Sequence, residues 1–234
     1  MSTAIVLTIV IGGTVLLLGA VLAFVLWIRR RVARTALAAP DGLAGEAARR
    51  GWTVVERDDS LIPLYDRQYD RRSRWEPLTH PPRATAARDV ITGSHRGREF
   101  VAATFDTVHQ GRHQPERAIW VAAPAAHPML GIRPSAAASN AVNRAIGLGG
   151  IRTGNPEFDA RFEVLAEDER FAEAVVTPAL VEFLLRDSRP WRAVSLRGEY
   201  LDVADPVRDH RDPAELVAAL DLRCDILDRM PTWA

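Results

Sequence analysis

The chain reads as α+β: one N-terminal transmembrane helix followed by an antiparallel-sheet domain with packed helices. Three observations lead there. Ala4 to Ile28 carries no charged side chain and ends at Arg29, Arg30, Arg31 and Arg34. Short runs of strand-forming residues bounded by turn residues recur between Trp52 and Val203. Two later segments, opening at Thr177-Pro178 and Asp212-Pro213, carry the cap-and-proline signature of helix starts. The expected organisation is an anchor with its basic flank over 1–34, a connector over 35–51 and a soluble α+β domain over 52–234.

The anchor comes first. At about 1.5 Å per residue, a helix over Ala4–Ile28 outruns the roughly 30 Å hydrocarbon core of a bilayer and spans it with some tilt. A secretory signal peptide would start with basic residues and have an apolar core of about 7–15 residues. Met1, Ser2 and Thr3 are not basic, and the arginines lie on the opposite flank, so the helix is expected to be retained. Basic residues next to a span stay cytoplasmic. The four arginines therefore predict an outside N-terminus and a cytoplasmic C-terminal domain on the cell membrane. Thr8, Gly12, Gly19 and Ala23 place small residues along one face, which would suit helix pairing. The expected partners are membrane lipid through residues 4–28 and a membrane protein or a second copy of the chain.

Composition narrows the rest. All 30 basic residues are arginine, a bias of the kind found in high-GC bacterial genes. Four arginines precede the first acid, Asp41, leaving 26 arginines against 30 acids and a net charge of −4 beyond them. Nucleic-acid binders need a basic face, so that class is disfavoured. Cys224 is the single cysteine, which rules out an intramolecular disulfide and a cysteine metal cluster.

The elements follow in order. Asp41 to Arg50 suits a short helix stopped by Gly51. Trp52 to Glu56 suits a strand, broken by Asp58-Asp59-Ser60. Leu61 to Arg83 holds Pro63, Pro77, Pro81 and Pro82 among Tyr65, Tyr69, Trp75 and five arginines. Residues before proline avoid helix, so an extended, irregular arm is expected. Aromatic and arginine side chains can also stack on single-stranded nucleic acid, but a covering loop fits the acidic domain better. A hairpin is expected from Arg88–Thr92 through a turn at Gly93–Gly97 to Glu99–Val108. After a turn at Gln110–Glu116 come strands at Ala118–Ala122 and Met129–Arg133. Ser135 to Gly150 suits a weak helix. Asn155-Pro156 opens a helical turn ending near Phe162, and Glu163–Ala166 a strand. Thr177-Pro178 starts a helix to Arg186 with Leu180, Phe183 and Leu184 on one face. A second hairpin is expected from Trp191–Leu196 and Glu199–Val203, turning at Arg197-Gly198. Asp212-Pro213-Ala214-Glu215 starts the last helix, with Leu216, Leu220, Cys224 and Leu227 on one buried stripe.

No motif names a reaction, and no catalytic, cofactor-binding or metal-ligating residue is assigned. His109 and His113 have the spacing of a helical zinc pair, but Gly111 and Pro115 put them in a turn. His80, His95, His127 and His210 are scattered. Ser94-His95 and Asp106-His109 supply triad atoms without a nucleophile elbow. Gly147-Leu148-Gly149-Gly150 lacks the lysine and spacing of a phosphate loop. Glu167-Asp168-Glu169 fits a solvated helix start. Cys224 is expected to be a buried, inert thiol.

The block Asn155-Pro156-Glu157-Phe158-Asp159-Ala160-Arg161-Phe162-Glu163-Val164 continues through Asp168–Ala172 and Thr177-Pro178-Ala179-Leu180. With Gly51-Trp52 and the Gly93–Arg98 hairpin, it resembles a family of uncharacterised single-pass bacterial membrane proteins common in actinobacteria. The resemblance covers most of the chain. It implies an anchored α+β unit and carries over no activity and no site residue. The expected function is a non-catalytic interaction module on the cytoplasmic membrane face, where a tether raises effective concentration. The alternatives are a membrane-anchored hydrolase with a dispersed site, using His95 and Asp106 first, and a lipid- or peptide-binding sheet module.

Overall fold

The computed structural model describes residue 19 and residues 42–72, 81–135 and 150–231. The chain divides into two compact units, Met1–Pro40 and Asp41–Ala234. The expected membrane span, Ala4–Ile28, lies outside the described residues except for Gly19, which is helical. Among the described residues no helix is long and apolar enough to cross a membrane.

The second unit opens with helix α1, Leu43–Arg50, closed by left-handed Gly51, whose N–H donates to the Ala47 carbonyl. Leu43 and Ala47 are buried in the same cluster as Trp52. The helix expected inside the connector is thus part of the core, because its two apolar residues lie one turn apart on the inward face. Strand β1, Thr53–Arg57, follows. The Asp58 carboxylate then accepts from Ser60 N at 3.0 Å and starts a short turn over Asp59–Leu61.

The arm expected over Leu61–Arg83 begins instead as helix α2, Ile62–Arg72. Pro63 sits in its first turn, where a missing N–H costs no hydrogen bond. Tyr65 and Tyr69, one turn apart, are both buried, which supplies the apolar face that the charged residues between them conceal in the sequence. Trp75, Pro77 and His80 lie outside the described residues.

The sheet has six antiparallel strands. Strands β2 (Arg83–His95) and β3 (Arg98–His109) meet at a two-residue turn, Arg96-Gly97, tighter than the expected Gly93–Gly97. Strand β4, Arg112–Pro134, follows a second two-residue turn at Gln110-Gly111. All four turn residues have positive φ, between 51° and 77°, the backbone twist that suits a two-residue hairpin. The two strands expected at Ala118–Ala122 and Met129–Arg133 are therefore one long strand. Pro124 and Pro128 fall where the pairing slips, between Ala122, His127 and Leu130, so missing N–H groups interrupt the ladder without ending the strand. β4 pairs β3 and then strand β5, Phe162–Ala166, along one edge, and strand β6, Ala193–Ala204, along the other. β6 replaces the second expected hairpin: Gly198 does not turn the chain but pairs with His127.

Three capped helices match the expected starts. Asn155 caps α3 (Pro156–Arg161), Thr177 caps α5 (Pro178–Arg186) and Asp212 caps α6 (Pro213–Leu227). Asp168 caps a further helix, α4 (Glu169–Val175), through Arg170 N and Phe171 N. The weak helix expected over Ser135–Gly150 falls, apart from its two ends, outside the described residues.

Alternation along the strands makes two cores. Phe100, Ala102, Ile119 and Val121 join α1 and the C-terminal helices in the larger cluster. Their neighbours Ala103, Phe105, Ala118 and Trp120 join Tyr65 and Tyr69 of α2 in the smaller one. Adjacent strand residues point to opposite faces. The sheet therefore has α2 on one face and α5 and α6 on the other.

Candidate functional site

The residues singled out in the sequence separate in space. His95 pairs in register with Arg98, while Asp106 pairs with Ala86 and Pro115 far along β3. That places them roughly 26 Å apart at about 3.3 Å per residue. Asp106 is held by Arg88, whose Nε donates at 2.7 Å, and the pair lowers the carboxyl's pKa. His95 is 7% exposed and its Nε2 lies 2.7 Å from Asp221 Oδ1 on α6. The Cys224 thiol is fully buried and faces the backbone carbonyl of His95 at 3.8 Å. Burial raises the thiol's pKa, and the thiol faces a backbone carbonyl, so the grouping of buried thiol, imidazole and half-exposed Asp221 carboxylate lacks a thiol–imidazole hydrogen bond.

This grouping is one end of a clasp. Arg96 reaches Asp225 at 2.7 Å and Asp228 at 2.5 Å, and Arg98 reaches Asp228 at 3.0 Å. Trp52 lies over Gly93, where an added Cβ would come within 2.5 Å of the indole, and Trp52 Nε1 donates to Ser94 O. The glycine–tryptophan strand and the Gly93–Arg98 hairpin of the sequence motif therefore meet each other and α6. Sequence reading missed the α6 half. Its signal was the spacing of Asp221, Asp225 and Asp228, which puts three acids on one helix face.

The other histidines are dispersed as well. His113 pairs across from Val108, and His109 from Arg112. His210 is buried, its pKa lowered by burial, and its Nε2 lies 2.6 Å from the carbonyl of Asp89 at a bulge of β2. Among the described residues no three metal-ligating side chains converge.

An open cleft of about 530 Å³ lies elsewhere, between the end of β4, the Gly150–Gly154 segment, α3 and β5. Its construction starts with backbone pairing: Ile151 N donates to Val164 O and Ser135 N to Arg161 O, each at 2.8 Å. Gly150 must be glycine, because a Cβ there would lie 2.6 Å from Glu163 Cγ and 2.9 Å from Val164 O. Phe162 forms a wall, stacked on Trp191 at 5.0 Å and tilted against Phe158 at 5.0 Å. Both acids of the cleft are engaged. Asp159 accepts from Thr153 N and Oγ1, and Glu163 accepts from Arg133 at 3.0 Å. Arg152 also lines a second cavity of about 290 Å³ on the other side of the segment. It is exposed and, among the described residues, has no hydrogen-bond or ion-pair partner. A volume in this range is that of a small-molecule site, and the lining is mixed, with Ile151, Pro156, Ala160 and Phe162 set among Ser135, Arg152, Asp159 and Glu163. Single-chain reasoning left this cleft unseen, since its walls come from four segments that only the fold unites.

A third, small polar pocket, of about 20 Å³, lies under α2 on the opposite face. Tyr65 donates to Glu116 Oε2 at 2.7 Å, and burial pushes the Glu116 carboxyl up to about 7. That volume admits one water and no substrate.

No protein-family model and no curated protein matches the chain. Among solved structures it is similar to the crystal structure of the mycobacterial trehalose monomycolate transport factor A, TtfA. The identity is 15% and the TM-score 0.49, over 83% of this chain and 99% of that one. A likeness of that degree assigns no residue a role.

Proposed function

We propose that the chain is a non-catalytic interaction module of the single-pass bacterial type, anchored through residues 4–28 with Asp41–Ala234 on the cytoplasmic face. The supporting observation is the chemistry of the 530 Å³ cleft. Glu163 is paired with Arg133, Asp159 is held by two hydrogen bonds from Thr153, and the guanidinium of Arg152 cannot serve as general acid or base near neutral pH. Apolar walls with a free guanidinium hold a ligand without transforming it. The hydrolase alternative needs His95 and Asp106 together, and the fold keeps them apart.

A small photoreactive aliphatic amino acid in place of Ala160, an exposed residue of the same cleft that leaves Arg152 in place, irradiated in the full chain in native membranes, tests this. A discrete adduct is expected, absent when the probe replaces exposed Arg186 on α5. The proposal fails if the two positions give the same adducts. It fails also if a folded His95→Ala protein keeps the adduct yet loses its biological role, because that would place chemistry at the clasp.

A further inference from the structure

We infer that the turn Arg208–Asp212, which leads from β6 into α6, is a pH-sensitive latch, docked on β2 by a neutral His210 and released as the medium turns acid.

The turn contains no helix or strand residue. His210 is 1% exposed, whereas Arg208, Asp209, Arg211 and Asp212 are half-buried or exposed. One imidazole therefore supplies the turn's fully buried contact with the domain. Its Nε2 lies 2.6 Å from the Asp89 carbonyl, an oxygen that can only accept, so Nε2 carries the hydrogen and Nδ1 is bare in the neutral ring. Nδ1 is buried and has no hydrogen-bond partner among the described residues. Asp89 itself has a φ of 53°, at the bulge of β2 between Arg88 and Ile91. That left-handed backbone is uncommon outside glycine, and a bulge leaves its extra residue out of the ladder. The carbonyl it frees is the one His210 holds.

Acid adds a hydrogen at Nδ1. The new N–H and its charge are then buried without an acceptor, a cost that a released turn avoids in water. Burial, helped by Arg117 of β4, outweighs the Asp89 carbonyl and the acids Asp209 and Asp89, and it holds the ring's pKa below the ordinary 6.5. Arg211 lies 2.8 Å from Asp209 and 3.6 Å from Asp89, which offsets both acids. Glu215 of α6 is occupied by the backbone N–H groups of Arg208 and Asp209. The docked ring has the lower pKa, so the released turn binds the proton more readily. Docking is at full strength above 6.5 and weakens as pH falls below it, by up to about tenfold per pH unit. Carboxylates of ordinary pKa titrate below that window.

Hydrogen–deuterium exchange of the full chain in phospholipid nanodiscs, at about pH 7.5 and pH 5.5 and corrected for intrinsic rates, tests the latch. The amides of Arg208, Asp209, Arg211 and Asp212 all have acceptors in the docked turn. Their protection should fall about tenfold at the lower pH, while the amides of β3 keep theirs. His210→Gln and His210→Phe put side chains that do not titrate in the same place. Either variant, if protected at the higher pH, should lose less than about twofold at the lower. Exchange at Cε1–H of His210 in the unmodified protein reports the ring's own titration, and it decides the matter if neither variant docks. Its midpoint should lie below 6.5.

Protection of the turn that does not change with pH would overturn the latch. So would an equal fall in a docked variant, or a ring midpoint at or above 6.5. A fall shared by β3 would overturn it as well, since the acid response would then belong to the whole domain.

Discussion

Arg223 shows how far one residue can depart from its surroundings. It sits on the apolar stripe of α6 and is 1% exposed. Its guanidinium donates to Ile119 O, Val203 O and Ala219 O and pairs with Asp205 at 2.6 Å. It therefore ties α6 to β4 and β6 through their backbones, with every bond made in a low-dielectric interior. Removing it strands carbonyls and a nearly buried carboxylate. Arg223→Ala should cost about 3–5 kcal/mol in denaturant unfolding, and Arg223→Lys should recover little, because a point charge cannot reach three divergent acceptors. Glu116 makes the opposite case. Burial chiefly, with Asp202 adding to it against the Tyr65 hydrogen bond, holds its carboxyl at about 7 instead of the ordinary 4.5. The folded state then keeps a proton that the unfolded state releases, so this group's contribution falls as pH rises from about 4.5 to about 7. Glu116→Gln should flatten that fall. The stability difference between variant and wild type, followed by urea midpoints from pH 5 to 8, should grow in the variant's favour with pH.

Among elements, those that start with a cap were legible and those shaped by pairing were not. Asn155-Pro156, Thr177-Pro178 and Asp212-Pro213 begin helices where the residues say so, since a cap is a local bond between neighbours. Pro124 and Pro128 lie within β4, yet strand continuity is decided by β6 alongside. α2 was taken for an irregular arm because its two tyrosines bury against Phe105 and Trp120, residues distant in sequence. The cleft, built from four segments, left no local trace at all. The clasp between the β2–β3 turn and α6 invites a ranking of forces. Its Arg96 contacts are half exposed, 41% for Arg96 and 41% for Asp228, and such pairs contribute about 0–1 kcal/mol each. Trp52, packed edge-on to Phe100 at 5.1 Å, buries a large apolar ring. Trp52→Ala should therefore cost about 3–5 kcal/mol, and Arg96→Ala less than about 1 kcal/mol. A larger loss for Arg96→Ala would make the ion network, not the indole, the main tie of the hairpin.

At the scale of the whole molecule, the proposed anchor raises the question of which side of the membrane the folded unit occupies. Nothing in Asp41–Ala234 decides it; the decision lies with the residues flanking the apolar run. Arg29, Arg30, Arg31 and Arg34 follow Ile28, and no basic residue precedes Ala4. Translocating four guanidinium groups is resisted, and this bias is read within about 15–20 residues of the span. The acidic excess of the folded unit contributes little, because acids weigh weakly in orientation. A reporter fused after Ala234 should therefore read as cytoplasmic, and the protein should stay with the membrane through a carbonate wash. Replacing the four arginines by glutamine should yield mixed orientations while leaving the wash result unchanged, since the proposed anchor draws retention from the apolar run and direction from its flank. An external signal from the unmodified protein would overturn the orientation. Release by carbonate would overturn the anchor itself.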